Sequence, residues 1–144
     1  MGGYTKQNPR FSGLTDGEGC FFVVDKQGRG QRSYPAFSIG LRADGAHVLE
    51  QLQSEFGGKV YNHNRADRNP MCSWVVSRKN DLRGLIRYFD EFGLVVKAEQ
   101  YPVWRLAVVE YLKPLRGRDQ KLIQRVCQKL RSLKKYRPSP LRSV

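Results

Sequence analysis

One order of elements occurs twice along the first two-thirds of the chain, and this repeat constrains the fold more than any other feature. Strand-like segments at 20–24 and 34–42 precede a helix-like segment that ends at Gly57. The same order recurs with strands at 59–61 and 72–76 and a helix that ends at Gly93, so the repeats cover 20–57 and 59–93. Two strand-strand-helix units predict an α+β fold, a four-stranded antiparallel sheet with helices on one face.

The remainder of the chain is predicted to be helical. Segments 97–112 and 118–135 have apolar residues at helical spacing, and Pro102 should lie in a first turn or at a kink. Asp44 and Asn80 are the predicted N-caps of the two repeat helices. Residues 137–144 have too little apolar content to pack and should form a basic tail, which leaves a single domain over 1–136.

Positive charge is in large excess and unevenly placed. Lys and Arg number 26 against 13 Asp and Glu, a net charge of +13, and residues 112–144 account for +10 of it. This balance excludes an acidic class and favours a polyanionic partner, nucleic acid before a membrane surface.

The strand pairs and their loops, 26–42 and 59–79, add nine basic residues against one acid. One sheet face should be free of helices, and we predict that it binds nucleic acid, although such cations also serve solubility and edge protection. The candidate DNA-binding residues combine cations with side chains that can read base edges: Lys26, Arg29, Arg32, Tyr34, Ser38, Arg42, Asn62, Asn64, Arg65, Arg68 and Ser73.

Cysteine usage and hydropathy predict the compartment. Cys20, Cys72 and Cys127 are odd in number and far apart, which argues against a disulfide framework or a zinc site and fits a reducing compartment. No apolar run approaches the roughly 20 residues that span a bilayer, and the N-terminus lacks the apolar core of a signal peptide. We expect an intracellular protein, cytoplasmic or organellar, with no membrane partner and no secretion.

A short helix is predicted over 9–17, immediately before the first strand. Asn8 can cap it and Pro9 suits its first position. Ser12, Gly13 and Gly17 leave one face of this helix nearly free of side chains. A second backbone can therefore approach this face closely.

Two carboxylates, Asp16 and Glu18, follow at the point where the predicted helix turns into the strand, each with glycines beside it. An acid beside a nucleic-acid phosphate is repulsive unless a cation lies between them. With Mg²⁺ in that place the pair becomes a site for phosphodiester cleavage.

The nine residues 11–19, Phe-Ser-Gly-Leu-Thr-Asp-Gly-Glu-Gly, resemble the LAGLIDADG motif that names a family of homing endonucleases. The resemblance extends over roughly 9–112, through segments 37–41 and 56–61. It implies an αββαββα fold with extra C-terminal helices, and site-specific hydrolysis of double-stranded DNA. The glycines follow a helix rather than a strand, which excludes a dinucleotide-binding loop.

By position, the resemblance implies that Glu18 and the main-chain carbonyl of Gly17 bind a divalent metal at the scissile phosphate. Mg²⁺ is the expected cofactor, and Mn²⁺ or Ca²⁺ can occupy such a site. Asp16 matches an acid that supports the helix end. Lys97 matches a lysine near the attacking water, so Glu18 and Lys97 are the predicted catalytic residues.

The chain contains one copy of the motif, so each cleavage centre lacks its mate. We therefore expect a homodimer whose motif helices pair about a two-fold axis. The expected interface residues are Ser12, Gly13, Asp16 and Gly17. Such a dimer would cover a near-palindromic site of about 20 base pairs.

Three other functions fit part of the sequence. A ribosome-associated structural protein fits the charge but does not explain the acids and glycines of residues 16–19. A non-cleaving DNA- or RNA-binding module on the same scaffold, an intron maturase or a transcription regulator, would use the acids as structural caps and the basic tail for RNA. A His-Asn-His nuclease is suggested by Asn62, His63 and Asn64, but the other histidine, His47, lies in a predicted helix.

Overall fold

A computed structural model describes residues 3–26, 32–63 and 69–135, with backbone alone at 135. Within these ranges the helices are α1 (Arg10–Glu18), α2 (Ala46–Phe56), α3 (Lys79–Phe92), α4 (Gln100–Leu112) and α5 (Gln120–Lys135). The strands are β1 (Gly19–Val24), β2 (Tyr34–Arg42), β3 (Lys59–His63) and β4 (Met71–Val76). None of the described helices is long and apolar enough to cross a membrane. The tail predicted at 137–144 lies outside the described residues.

The four strands form one antiparallel sheet in the order β1-β2-β4-β3, which confirms the predicted α+β fold. Phe21 pairs with Phe37, and Ile39 pairs with Trp74. Side chains alternate along each strand, so these four residues share one face, and all four are fully buried. We call this the inner face and the opposite one the outer face.

The helices cover the inner face mainly through aromatic rings. Phe11 of α1 lies 5.2 Å from Phe89 of α3 and 5.6 Å from Trp74, and Phe21 lies 4.8 Å from Trp104 of α4. Both tryptophan Nε1 atoms donate hydrogen bonds to main-chain carbonyls, so their burial leaves no polar atom unpaired. Burying each ring contributes about 1.5–3 kcal/mol, and this cluster fixes α1 against the sheet.

The edge of β1 that has no partner strand is covered by α5. The Cys127 thiol contacts the carbonyl of Val23 at 3.8 Å, and Lys134 Nζ donates to the carbonyl of Phe21 at 2.7 Å. Edge carbonyls of this kind otherwise invite pairing with another chain. The C-terminal helix is therefore an integral part of the fold.

The predicted starts of α2, α3 and α4 were wrong. α3 begins at Lys79, and Asn80 accepts a hydrogen bond from Arg83 instead of capping the helix. α2 begins at Ala46 after a 3₁₀ turn, with no side-chain cap from Asp44. α4 begins at Gln100 rather than at Lys97, because the chain before it is held by a hydrogen-bonded contact with α1. Pro102 does lie in the first turn of α4, as predicted.

Candidate metal site and nucleic-acid interface

The start of α1 is anchored by a tyrosine from α3. The Ser12 main-chain N–H donates to the Tyr88 hydroxyl at 3.0 Å, and that hydroxyl donates to the carbonyl of Asn8 at 2.7 Å. Burial raises the pKa of Tyr88, so its hydroxyl stays protonated and able to donate. α1 begins at Arg10 with Pro9 at the N-cap position and no side-chain cap, so the predicted cap at Asn8 was wrong. Asn8 Oδ1 accepts a hydrogen bond from the N–H of Arg10, the first residue of the helix. The helix therefore has a fixed direction over the sheet.

One side of α1 is packed and the other is open. Phe11 and Thr15 are completely buried, whereas Gly13 and Gly17 are exposed. A Cβ built on either glycine would meet no atom of the described chain within 4 Å. Ser12 is buried against the fold. The smooth face predicted from the glycines thus points out of the subunit at Gly13 and Gly17.

Glycine is required where α1 turns into β1. A Cβ at Gly19 would lie 2.7 Å from Thr15 Cγ2 and 2.8 Å from the Thr15 carbonyl oxygen. The turn can therefore be tight, and β1 starts directly after Glu18. This geometry leaves the Glu18 side chain exposed at the end of the helix.

Asp16 and Lys97 connect the C-terminal end of α1 to the loop before α4 through hydrogen bonds. Oxygens of the Asp16 carboxylate accept from the main-chain N–H groups of Val95, at 3.0 Å, and Lys97, at 3.0 Å. Lys97 Nζ in turn donates to the Asp16 carbonyl oxygen at 2.8 Å. The Lys97 side chain is buried, with 6% exposure. Asp16 supports the helix end, as the resemblance implied, and its carboxylate is used within the subunit.

The structure brings a second carboxylate next to Glu18. A shallow cavity of about 370 Å³ is lined by Glu18, Gly40, Leu41, Arg42, Asp44, Gly45 and Met71. Sequence analysis placed Arg42 in the DNA-binding set but assigned Asp44 to a helix cap. Antiparallel pairing of Gly19 with Ile39 brings the start of β1 beside the end of β2, and so places Asp44 near Glu18. Finding Asp44 from the sequence would have required this strand pairing.

The donors at this cavity suit a hard cation. Carboxylate oxygens of Glu18 and Asp44 and the carbonyl of Gly17 are the oxygen ligands that Mg²⁺ prefers, and Mg²⁺ usually keeps several waters and needs only one or two carboxylates. No group of three His, Cys, Asp or Glu side chains suited to a metal occurs among the described residues.

The outer face of the described strands is free of acids. The four described strands contain no Asp or Glu. Gly40 pairs with Ser73, and Ser38 pairs with Val75, so Ser38, Arg42 and Ser73 share this face. His63 Nε2 lies 2.9 Å from Ser73 Oγ, which orients the hydroxyl. A phosphate backbone on this face meets no like charge from the strands.

Other predicted DNA-binding residues are more scattered. Lys26 and Arg32 are exposed at the ends of the described β1 and β2 segments. The Tyr34 ring lies 6.2 Å from Tyr111 of α4 and is partly covered by it. Asn62 pairs with the buried Cys72, so alternation places it on the inner side at the exposed β3 edge. Arg29, Asn64, Arg65 and Arg68 lie outside the described residues.

The class of protein follows from comparison with known families. The model of the LAGLIDADG endonuclease family matches residues 11–108, from the buried phenylalanine of α1 into α4. The chain belongs to this family. No curated protein matches it.

Solved structures with the same fold include DNA complexes. The chain is 22% identical to the archaeal intron-encoded homing endonuclease I-Vdi141I complexed with DNA, with a TM-score of 0.70, 94% of this chain covered and 86% of that one. The homing endonuclease I-TnaI is 22% identical with a TM-score of 0.68, and the match covers 90% of this chain and 98% of that one. The LAGLIDADG homing endonuclease I-GzeII in complex with its DNA target is 22% identical with a TM-score of 0.64. That match covers 91% of this chain and 45% of the other, so this chain spans just under half of that protein.

Proposed function

We propose that this protein is a site-specific, Mg²⁺-dependent endonuclease that hydrolyses both strands of a near-palindromic DNA site as a homodimer. The observation that carries the proposal is Glu18, exposed at the end of the family motif helix and lining one cavity with Asp44 and Arg42. Acid is concentrated there beside a sheet face that contains none. That arrangement fits a cation held between the protein and a phosphate.

The polar groups at the end of α1 and in the cavity have separate tasks in this proposal. Glu18 and the carbonyl of Gly17 hold the cation, and Asp44 either completes its shell or orients a water. A bound Mg²⁺ would supply polarisation of water and neutralisation of the phosphorane charge. Arg42 supplies a bidentate donor for a phosphate oxygen.

Lys97 has a positioning role in addition to its predicted place near the reacting water, which stays a prediction. Its hydrogen bond to the Asp16 carbonyl fixes the last turn of α1, from which Gly17 and Glu18 project. A small displacement of that turn would misplace the cation relative to the phosphate, and such errors are costly in rate.

The homodimer part of the proposal is supported by the open face of α1. Gly13 and Gly17 have nothing of their own chain above them. The loop that Asp16 holds also presents apolar side chains, with Val95 84% and Val96 54% exposed. A second copy of α1 and of this loop would cover both features about a two-fold axis.

The test begins with a randomised duplex library, from which the sequence cut by the wild-type protein with Mg²⁺ is selected. On that duplex, Glu18→Gln should lose cleavage at least about 100-fold, because even outer-shell changes cost 10–100-fold at metal sites. Binding should persist, and Glu50→Gln, an exposed acid on α2, is the matched control.

The outcomes separate the alternatives. Cleavage retained by Glu18→Gln would remove this residue from the metal site. Tight duplex binding by the wild-type protein without cleavage under Mg²⁺ or Mn²⁺ would favour the non-cleaving DNA- or RNA-binding module.

A further inference from the structure

The C-terminal helix α5 lies beyond the part of the chain that the family model matches, which ends at residue 108. It is strongly basic, and the proposed cleavage chemistry does not use it. Its position is nevertheless fixed against the sheet that the proposal assigns to DNA.

The strand-facing line of α5 is defined by Cys127 and Lys134. They are seven residues apart and therefore lie on the same side of the helix. Cys127 contacts the carbonyl of Val23, and Lys134 contacts the carbonyl of Phe21, so α5 runs antiparallel to β1 along its edge.

The same line reaches the outer face. Lys134 Nζ lies 3.4 Å from Cys20 Sγ. Cys20 pairs with Ser38 and alternates with the buried Phe21, so its side chain is on the outer face. The last turns of α5 therefore border the outer face, the side of the sheet that the proposal assigns to DNA. The residue contacted there, Cys20, is two residues along the chain from Glu18.

The buried stripe of α5 lies on one flank of this line, toward α4. It is made of Leu122, Ile123, Val126, Leu130 and Leu133. At 100° per residue, the opposite flank carries Lys121, Gln124, Gln128 and Arg131, all exposed. Because α4 packs on the inner face, this flank is turned toward the outer face.

The back of the helix differs in that one of its cations is paired with an acid. Arg125 and Lys129 lie farthest from β1, and Arg125 forms an ion pair with Asp119 at 3.7 Å. The outer flank, by contrast, has a cation at each end, Lys121 and Arg131, and between them two glutamines whose amides can donate hydrogen bonds. Cationic and amide side chains along one side of a helix suit the oxygens of a phosphodiester backbone.

We propose that the outer flank of α5, Lys121, Gln124, Gln128 and Arg131, is a second DNA contact surface that binds the phosphate backbone beside the duplex on the sheet. This inference rests on the proposed function for the presence of duplex DNA on the outer face. It assigns α5 to affinity and positioning, with no part in base recognition or in the chemical step.

The test compares two double variants of the same helix. Lys121→Gln with Arg131→Gln removes the outer-flank cations, and Arg125→Gln with Lys129→Gln removes the same charge from the back. Binding to a mixed-sequence duplex is measured in EDTA over a series of KCl concentrations. The outer-flank variant should lower the slope of log affinity against log salt by up to about 1.8 per subunit, and the back variant should leave it nearly unchanged.

Equal slopes for the two variants would overturn the proposal, since net charge alone would then explain the binding. The proposal would also be overturned if the outer-flank variant bound a duplex RNA of the same length more weakly than wild type does, but bound DNA as tightly as wild type does. Circular dichroism melts of both variants check the fold. Failure of the wild-type protein to bind duplex DNA would instead refute the proposed function.

Discussion

At the scale of single residues, Asp16 determines where the functional end of α1 lies. Its carboxylate accepts main-chain hydrogen bonds from Val95 and Lys97, and its carbonyl accepts one from Lys97 Nζ. Three donor groups thus connect the motif helix to the loop before α4. The carboxylate of the first motif acid is held within the subunit and that of the second is left exposed, and this division comes from geometry rather than from residue type.

Asp16→Ala should lower the free energy of unfolding by about 1–3 kcal/mol, because it leaves the partly buried N–H of Lys97 and the N–H of Val95 without this acceptor. It should also slow the proposed DNA cleavage while leaving the affinity for DNA nearly unchanged. Urea unfolding and single-turnover cleavage measure the two effects. Glu99→Ala, an exposed acid in the same loop, is the control, and equal effects of the two changes would contradict this role.

The candidate site was only partly predictable from the sequence. Glu18, Gly17 and Asp16 could be identified because they belong to one contiguous motif. Asp44 could not, because its approach to Glu18 depends on the β1-β2 register, which local periodicity does not determine. The burial of Lys97 was also missed, since a lysine at a loop is ordinarily exposed.

At the scale of elements, α3 and α4 are joined by a small polar cluster. Asp90 Oδ1 accepts from the Tyr101 hydroxyl at 2.6 Å, and its two oxygens accept from Arg105 Nε at 2.9 Å and Nη2 at 2.8 Å. The Arg105 guanidinium lowers the pKa of Asp90. Burial, with the neighbouring carboxylate, raises the pKa of Tyr101.

This cluster makes the α3-α4 contact sensitive to acid. A carboxyl whose folded-state pKa is lowered stabilises the fold above its ordinary pKa, about 4, and loses that contribution as pH falls through the folded value. Asp90→Asn should therefore be less stable than wild type at neutral pH, by at most about 1 kcal/mol because both partners of the ion pair are over 40% exposed.

The measurement is the free energy of unfolding against pH for wild type, Asp90→Asn and the adjacent control Glu91→Gln. The gap between wild type and Asp90→Asn should close below the folded pKa of Asp90. A gap that stays constant down to strongly acidic pH would show that lost packing, rather than charge, explains the variant.

Element order, strand identity and helix content could be predicted, because alternation and helical spacing report burial directly. Helix starts could not, since α2 and α3 begin without side-chain caps. The placement of α5 was also unpredictable. Its amphipathic stripe indicated a buried face, but not that the adjacent line of Cys127 and Lys134 would cover the β1 edge.

At the scale of the whole molecule, the structure has two surfaces that differ in kind. The outer face is free of acids and the α5 flank beside it is basic, whereas the glycine face of α1 with Val95 and Val96 is smooth and apolar. The first suits a charged duplex and the second suits a close backbone contact. Because α1 ends at Glu18, pairing through the second surface would place two cleavage centres side by side on one DNA.

Gly13→Leu should abolish the proposed dimer without disturbing the subunit, because a Cβ there meets no atom of its own chain within 4 Å and the added side chain would collide with a paired helix. Gly84→Leu is the matched control, a helical glycine of α3 that also has open space above it. Both changes raise helix propensity by up to about 1 kcal/mol, so neither should lower the melting temperature of the subunit. Sedimentation equilibrium should give a monomer for Gly13→Leu alone, with double-strand cleavage lost. If Gly13→Leu remained a dimer of unchanged affinity, the subunits would have to associate through another surface, and the two Glu18 side chains would not be brought together by α1.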